Sequence, residues 1–463
     1  MLLASRPFGV ALALVATLAA SAGCAPRVRG GESGDTAPDG QRGRGRGRTF
    51  DPTAVYAGAG LIAQAQPIPF VGNVLFLAGS SPDSTLLLLT LSMPNRALSF
   101  ATEGEAHQAR YLVVADVRRD GAMVAHAEAR QVVRVGSFRE TGRTDESVIF
   151  QQYVSVHPGT YALTVSVRDE GSGRSGQQEL RVTVPRLAGA SLSSPVAVYQ
   201  AVARVSTDTT PELIANPRAT VFFGRDTAAH VYIEGYGIAP GIPISIAVQT
   251  ADSSVVWRDS VIFPPAVDSN TVQGSVVSLP VARLGVGRLT VIASTPAATA
   301  TRTPLFVSFG DEWSIASFEE MLNYLRYFAS AHRLQELRGA TGEARAAAWS
   351  EFYRETDPDP RTPEHEGLRD YFARIQFSNE RFNEEGTPGW LTDRGKVYST
   401  LGEPDQLLEQ GDRSLNTRGR AQIWTYARYR LQLVFVDQSG FGRWRLTPRS
   451  DTEFTAVAMR ERK

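Results

Sequence analysis

Short apolar or alternating runs of residues, separated by turn residues, dominate the first two thirds of the chain. Tyr111–Val117 is one such run, and Ala122–Ala129 follows it across Asp120-Gly121, a dipeptide typical of tight hairpins. Farther on, one face of a predicted strand carries an apolar residue at every second position: Tyr161, Leu163, Val165 and Val167. We therefore predict a β-sandwich of the immunoglobulin-like type over residues 51–190.

A second β-rich region follows, over residues 191–310. Ile244, Ile246 and Val248 alternate with polar positions, and residues 255–257 and 289–293 form two further β-type runs. Proline and glycine mark the loops between these runs. We predict a second β-sandwich here, which makes the protein multidomain and mainly β.

Apolar spacing changes from a period of two to a helical period after residue 310, and residues 311–385 are predicted to be helical. Ser317 with Glu320 matches a capping box, and an apolar stripe follows it. A second helix is predicted from Glu343 to about Glu355. A third helix is predicted to begin at Thr362-Pro363, with Thr362 as N-cap.

Two strings in these regions imitate catalytic or cofactor motifs. His365-Glu366 begins like the H-E-x-x-H zinc motif, but Arg369 stands where the second histidine belongs, so the sequence argues against a zinc protease. Residues 171–176 spell G-x-G-x-x-G, but a strand rather than a helix is predicted to follow. We interpret this string as a hairpin loop, and the sequence predicts no cofactor.

Charge and composition exclude further classes of protein. Lys and Arg number 48 and Asp and Glu number 48, a balance that argues against a nucleic-acid binder. A single cysteine excludes an internal disulfide and a multi-cysteine metal site, and six scattered histidines favour no metal centre.

That one cysteine, Cys24, lies at the end of an N-terminal apolar run too short to span a bilayer. The segment resembles a bacterial lipoprotein signal, with small residues before the cysteine but Ser21 in place of the usual leucine. We predict a signal peptide over 1–23, lipidation of Cys24, and a flexible Gly/Arg/Pro tether over 24–50. An ordinary secretory signal with a chance cysteine is the alternative.

A C-terminal signature identifies a family. Residues 389–393 read GWLTD, followed by RGKVYSTLGEPD (394–405), QIWTYAR (422–428), LQLVFVDQSGFG (431–442) and RWRLT (443–447). This order of strings resembles the GWxTD-domain family of bacterial envelope proteins, with the match at about 386–450 together with the helical segment from 311 onward. The resemblance implies an exported protein with a β-rich N-terminal region, and it implies no established molecular function.

The signature also has a direct physical interpretation within an α+β module at 386–463. Gly389 permits a close backbone approach, Trp390 supplies a large anchor, and Thr392 or Asp393 caps a short helix over 394–401. Three antiparallel strands are predicted to follow, at about 422–428, 431–437 and 443–447. On this interpretation, the signature is structural.

Two functional interpretations use the same region. The carboxylates of Asp393, Glu403 and Asp405 could form an acid/base pair acting on an envelope polymer, if a cleft brings them within about 5–10 Å. Alternatively, exposed aromatic side chains could form a binding platform for a protein or a glycan. The candidates for this platform are Trp390, Trp424, Tyr426 and Trp444.

Taken together, these features predict a lipid-anchored cell-envelope protein with a non-enzymatic binding or scaffolding role in an envelope assembly. By analogy with the sorting of known lipoproteins, Ala25 after Cys24 leads us to expect the outer membrane. The membrane, through the lipid anchor, and an envelope protein or glycan are the expected partners, and nucleic acid is not. The alternatives are a carbohydrate-binding lipoprotein and a hydrolase of envelope polymers.

Overall fold

The structure is a computed structural model that describes residues 52–142, 147–268, 270–309, 317–362, 364–411 and 420–462. The predicted signal peptide, Cys24 and the tether lie outside the described residues, as does Pro363. The described residues belong to one compact unit. Among them, no helix is both long and apolar enough to cross a membrane.

The first sandwich packs two sheets around one core. Its strands are β1 (Ile62–Gln64), β2 (Phe70–Ala78), β3 (Thr85–Pro94), β4 (Ala101–Glu103), β5 (Ala106–Arg119), β6 (Ala122–Val135), β7 (Ser147–Val156), β8 (Gly159–Asp169) and β9 (Ser175–Val184). One sheet has the order β1-β2-β3-β7; the other has the order β4-β5-β8-β9, with β6 paired to β5. Asp120 and Gly121 both have positive φ and join β5 to β6, which confirms the predicted hairpin.

The second sandwich has the same two-sheet plan. Its strands are β10 (Ser191–Leu192), β11 (Val196–Val202), β12 (Glu212–Ala215), β13 (Thr220–Phe222), β14 (Ala228–Tyr236), β15 (Pro243–Thr250), β16 (Val255–Ile262), β17 (Gln273–Pro280), β18 (Gly287–Thr295) and β19 (Ala298–Ser308). One sheet has the order β10-β14-β11-β12, with β17 paired to β14. The other has the order β13-β19-β18-β15-β16, in which β13 and β19 are parallel.

The two sandwiches meet face to face. Leu75, Leu77 and Leu88 of the β1-β2-β3-β7 sheet pack against the second sandwich in a core cluster that includes Val196 and Tyr232. That sheet is therefore covered on both faces, since alternate residues of β3 also line the core of the first sandwich. Burial on both faces explains why residues 86–89 are four leucines in succession instead of an alternating pattern.

A buried ion pair lies where the sandwiches meet. The guanidinium of Arg204 donates from Nε and Nη2 to the two carboxylate oxygens of Glu234, each at 2.8 Å, and Nη2 also donates to the carbonyl of Ala78 in β2 at 2.7 Å. The hydroxyls of Tyr232 and Tyr236 donate to the same carboxylate. Tyr236 in turn accepts from the amide of Ala78 at 2.8 Å. This network joins the two sandwiches through charged and backbone groups.

Helices cover the second sandwich. They are α3 (Phe318–Tyr324), α4 (Ala331–Gly339), α5 (Gly342–Thr356) and α6 (Glu366–Arg381), with a 3-10 turn at Leu325–Tyr327 after α3. Their buried side chains belong to the same core cluster as those of the second sandwich. Two shorter helices, α1 (Pro52–Gly58) and α2 (Phe138–Thr141), belong to the sandwich region. Tyr56 of α1 packs edge-on against Phe306 of β19, with the ring centroids 5.0 Å apart.

The starts of these helices partly match the sequence prediction. Ser317 accepts from the amide of Glu320 at 3.1 Å, as the capping box predicts. The predicted N-cap at Thr362 is wrong, because α6 begins at Glu366 and His365 is its N-cap. The Nδ1 atom of His365 accepts from the amide of Leu368 at 3.0 Å, and Nε2 lies 2.9 Å from the hydroxyl of Thr356. His365, the first residue of the string that resembles a zinc motif, is therefore a buried helix cap.

The C-terminal module has more elements than predicted. Its strands β20 (Gln406–Gly411), β21 (Arg420–Tyr426), β22 (Leu431–Asp437) and β23 (Arg445–Leu446) form an antiparallel sheet in that order. Helices α7 (Asp393–Leu401) and α8 (Pro448–Glu461) accompany it. The sequence prediction omitted β20 and α8 and made the last strand too long. Side chains of α7 and α8 share one core cluster with the sheet.

Candidate functional site

The signature begins in a 3-10 turn, Gly389–Leu391, packed directly against α6. A Cβ atom on Gly389 would lie 1.9 Å from the carbonyl oxygen of Ser378, and one on Gly395 would lie 1.8 Å from the carbonyl oxygen of Gly389. Any larger residue would push the turn, α6 and α7 apart. The amide of Gly389 also donates to Asn383 Oδ1 at 2.6 Å.

Trp390 is the anchor of the turn. Its ring centroid lies 4.9 Å from that of Tyr324 and 5.9 Å from that of Tyr327, and the guanidinium of Arg326 lies over the indole at 5.0 Å. Its amide donates to Asn379 Oδ1 at 3.2 Å. The indole belongs to the core cluster of the helical layer, whereas Val397 in α7 belongs to that of the C-terminal sheet. The signature therefore joins two cores.

Thr392 is the N-cap of α7. Its hydroxyl accepts from the amide of Gly395 at 3.1 Å and donates to the carbonyl of Gly389 at 2.7 Å. Asp393 is the first residue of the helix, and its Oδ2 accepts from the amide of Leu446 in β23 at 2.8 Å. Of the two predicted capping residues, the structure places Thr392 in that role and uses Asp393 to attach α7 to the sheet.

The three candidate carboxylates do not come together. Asp393 begins α7, and Glu403 and Asp405 follow its last turn. At 1.5 Å per residue, the two ends of this nine-residue helix are about 12 Å apart. Asp405 accepts from the amide of Ala427 at 2.6 Å, and Glu403 is exposed. Asp393 is thus separated from the other two by more than the spacing of a carboxylate pair.

The predicted aromatic platform is wrong. Trp390, Trp424, Tyr426 and Trp444 are only 7%, 1%, 3% and 3% exposed. Trp424 packs between Phe382 and Phe435, and the hydroxyl of Tyr426 donates to the carbonyl of Gly402 at 3.0 Å. Trp424, Tyr426 and Trp444 belong to the core of the C-terminal module and Trp390 to that of the helical layer, so these rings form no exposed platform.

Sequence reasoning missed Arg394, the residue after the signature. Its guanidinium carbon lies 5.1 Å from the ring centroids of both Phe382 and Trp444. Burial lowers the pKa of Arg394 to about 10. Trp444 also has Arg420 over its ring, at 5.3 Å. Residues 382, 394, 420 and 444 lie far apart in the sequence, so no local pattern indicates this cluster.

A polar groove on the outer sheet of the first sandwich was also missed. Its volume is about 350 Å³. Strand β8 contributes small side chains, Thr164 among them, and the flanking strands contribute longer ones, including Asp116 and Glu179. Asp116 lies 2.7 Å from Nδ1 of His126 and 3.2 Å from the guanidinium of Arg118. The hydrogen bond from His126 is the main cause that lowers the pKa of Asp116. Within the described residues, no group of acidic, histidine or cysteine side chains is arranged to hold a metal ion.

Comparison with solved structures gives only distant likenesses. A trypsin-activated α2-macroglobulin from Escherichia coli is 10% identical with a TM-score of 0.17, over 52% of this chain and 17% of that one. A red sea bream transglutaminase is 8% identical with a TM-score of 0.15, over 51% and 31%. A Bifidobacterium dentium β-glucuronidase, solved with coumarin-3-O-glucuronide, is 10% identical with a TM-score of 0.19, over 57% and 46%. The chain spans less than half of each of these proteins, and such TM-scores carry no argument about function.

Sequence comparison is more informative. No curated protein matches the chain. The family model of the GWxTD domain matches residues 295–441, from the hairpin between β18 and β19 to the loop after β22. The matched region includes the helical layer and the signature turn, and it starts earlier than the resemblance in the sequence indicated. The chain therefore carries a GWxTD domain at residues 295–441.

Proposed function

We propose that this chain is a lipid-anchored protein of the cell envelope, with a binding or scaffolding role and no catalytic one. The observation that carries the proposal is the continuous packing of both sandwiches, the helical layer and the C-terminal module. Buried contacts join each layer to the next, as at Arg204 with Ala78 and at Trp390. Surfaces that are far apart along the chain are therefore held in a fixed arrangement.

The environment of the signature supports this role. The hydroxyl of Thr392, the carboxylate of Asp393 and the amides of Gly389 and Trp390 each have a hydrogen-bond partner within the fold. Groups bonded in this way hold parts of the fold together, whereas a catalytic group must be accessible to its substrate. The separation of Asp393 from Glu403 and Asp405 weighs against a hydrolase that pairs Asp393 with either of the other two carboxylates.

Photocrosslinking in cells tests the scaffolding role. A photoreactive residue replaces Phe138, Tyr199 or Phe441, which are exposed side chains of the first sandwich, the second sandwich and the C-terminal module. A scaffold gives discrete protein adducts from at least two of these positions. Adducts from a single position would reduce the role to simple binding, and the lack of adducts at all three would overturn the proposal. Replacement of the buried Trp349, which partners cannot reach, serves as the control.

The anchor is tested separately. In this proposal Cys24 carries the lipid, residues 24–50 form the tether, and the outer membrane is the destination. Metabolic labelling with an alkyne fatty acid should label the native protein, and the label and the membrane fraction should both be lost in Cys24→Ser. A Cys24→Ser protein that still incorporates the fatty acid would contradict lipidation at this residue.

The polar groove favours carbohydrate binding as a second candidate function. Its lining combines hydroxyl, carboxylate, amide and guanidinium groups from Thr164, Glu179, Gln177 and Arg118, which suit a polyhydroxylated ligand. Glycan-array binding of the full Cys24→Ser chain tests this function. Glu179→Gln combined with Gln177→Ala should abolish the signal, and Glu105→Gln, an exposed residue of the same sandwich, should not. Equal signals from both variants would place any glycan elsewhere.

A further inference from the structure

Arg394 has an unusual environment for a withdrawn cation. Its guanidinium lies near the faces of Phe382 and Trp444, as described above, and its Nε atom is buried. Among the residues that the structure describes, none accepts a hydrogen bond from Nε, and no ion pair is formed by this side chain. Aromatic faces attract a cation, but they leave the five N–H donors of a guanidinium without an oxygen acceptor.

Three carboxylates act on the charge of Arg394, those of Glu384, Asp437 and Glu409, and the first two accept hydrogen bonds from other donors. Asp437 accepts from Ser439 Oγ, from the amides of Gly440 and Gly442, and from Arg420. Four donors fill the acceptor capacity of a carboxylate. Glu384 accepts from the amide of Trp444 at 3.0 Å and from Arg445 at 2.8 Å. Both acidic groups therefore moderate the charge of Arg394 without bonding to it.

A second guanidinium faces the same indole. Arg420 lies over Trp444 and uses Nη2 for Asp437, while its side chain stays about half exposed. Trp444 is thus contacted by one partly buried and one solvent-accessible guanidinium. Their donors are fixed by packing on rigid rings, so a ligand would bind at little cost in side-chain ordering.

We propose that Arg394 and Arg420, held on Trp444, form a binding site for the carboxylate group of a small acidic ligand. A planar carboxylate matches the donor geometry of a guanidinium. It carries a single negative charge, so the three acidic side chains whose charges act on Arg394 repel it less than they would repel a dianion. This inference is separate from the scaffolding role, because it requires neither the lipid anchor nor a macromolecular partner.

Calorimetric titration of the full Cys24→Ser chain at constant ionic strength tests the site. The probes are D-glucuronate against D-glucose, and N-acetyl-D-alanine against its amide, with inorganic phosphate as a third arm. Saturable binding of either acid, without binding of its neutral counterpart, supports the site and tells a sugar acid from a peptide carboxylate. Binding of phosphate alone, or of no probe, overturns the proposal.

Matched arginine variants locate the binding. Arg394→Gln should weaken the affinity at least tenfold and Arg420→Gln several-fold. Arg428→Gln should leave it unchanged, although Arg428 also lies over an aromatic ring, that of Tyr429, at 5.2 Å. Circular dichroism and the melting temperature verify folding, and Arg420→Gln decides the matter if Arg394→Gln does not fold. Equal affinities in the Arg420 and Arg428 variants would also overturn the assignment.

Discussion

Arg204 is buried and Arg394 is partly buried, and the surroundings of the two guanidinium groups differ. Arg204 bonds to both oxygens of Glu234 and to two backbone carbonyls, those of Ala78 and Thr209. Within the described part of the chain, the guanidinium of Arg394 lies over the rings of Phe382 and Trp444 and forms no ion pair. Burial alone would lower the pKa of Arg204, but the bonds and charge of Glu234 outweigh it and raise that pKa; burial lowers the pKa of Arg394 to about 10.

This difference separates a structural charge from a candidate binding charge. A buried ion pair whose donors and acceptors are all satisfied fixes how two layers meet, since breaking it leaves a charge in a poorly solvating interior. A guanidinium that packs on rings and lacks an ion pair can offer those of its donors that are not buried to another molecule. Arg204 therefore helps to hold the two sandwiches together, whereas Arg394 is a candidate for binding a ligand.

The largest expected effect is at the paired arginine. Arg204→Met leaves the carboxylate of Glu234 buried without its cation, and it should lower the free energy of unfolding by about 3–5 kcal/mol. Urea denaturation of the Cys24→Ser chain measures this. Arg130→Met, which breaks an exposed pair with Glu170, should have a far smaller effect, because solvent screens such a pair. Similar losses in the two variants would refute the structural role of the Arg204 pair.

The next effect concerns the carboxylate that Arg394 does not use. Burial alone would raise the pKa of Asp437, but hydrogen bonds from Gly442, Ser439, Arg420 and Gly440 lower it overall. Asp437→Asn should cost about 2 kcal/mol at neutral pH. Because a depressed pKa stabilises the fold only while the carboxylate is ionised, this difference should shrink as the pH falls below about 4. A difference between native and variant that is constant from pH 7 to pH 2 would contradict this account.

A smaller effect is expected at the cap of α7, the helix that carries Arg394. Thr392→Ala removes the oxygen that accepts from the amide of Gly395, and it should cost about 1 kcal/mol. Thr392→Ser keeps that oxygen and should restore most of the loss. Thermal unfolding of both variants measures the difference. A serine variant as unstable as the alanine variant would assign the effect to the methyl group.

The smallest effect is expected at the unpaired arginine. Arg394→Met removes a partly desolvated cation that forms no ion pair with any residue the structure describes, and it keeps an apolar stem near the rings, so stability should change by less than about 1 kcal/mol. The same denaturation experiment compares it with Arg204→Met, which is the identical substitution. If both variants lost several kcal/mol in the free energy of unfolding, the distinction between a structural Arg204 and a non-structural Arg394 would be refuted.

Local signals in the sequence predicted much of this fold. The Asp120-Gly121 hairpin, the Ser317 cap and the capping of α7 at Thr392 all depend on contacts within a few residues. The α+β character of the C-terminal module follows from such signals too. The helix α8 was missed although its signals are local: Pro448 lies at its start, and Phe454, Val457 and Ala458 have helical spacing.

What the sequence could not reveal are contacts between distant residues. Glu234 is 30 residues from Arg204, and Ala78 is 126 residues away, so nothing near Arg204 marks it as buried. Trp424 and Trp444 were expected on the surface because aromatic residues serve equally as binding hot spots and as core. Only the packing of Phe382, α7 and α8 against the sheet decides between these roles.

The strand β3 has a consequence for how the molecule opens. It is hydrogen-bonded to β2 and β7 at its two edges, and both of its faces are covered, one by each sandwich. Its amide protons can exchange with solvent deuterium only when the sheet separates from its neighbours, and so they should be among the slowest in the first sandwich. If the amides of β14, which lies across the interface, exchange at the same rate, the two sandwiches unfold as one cooperative unit. A destabilising substitution in either sandwich would then lower the stability of both.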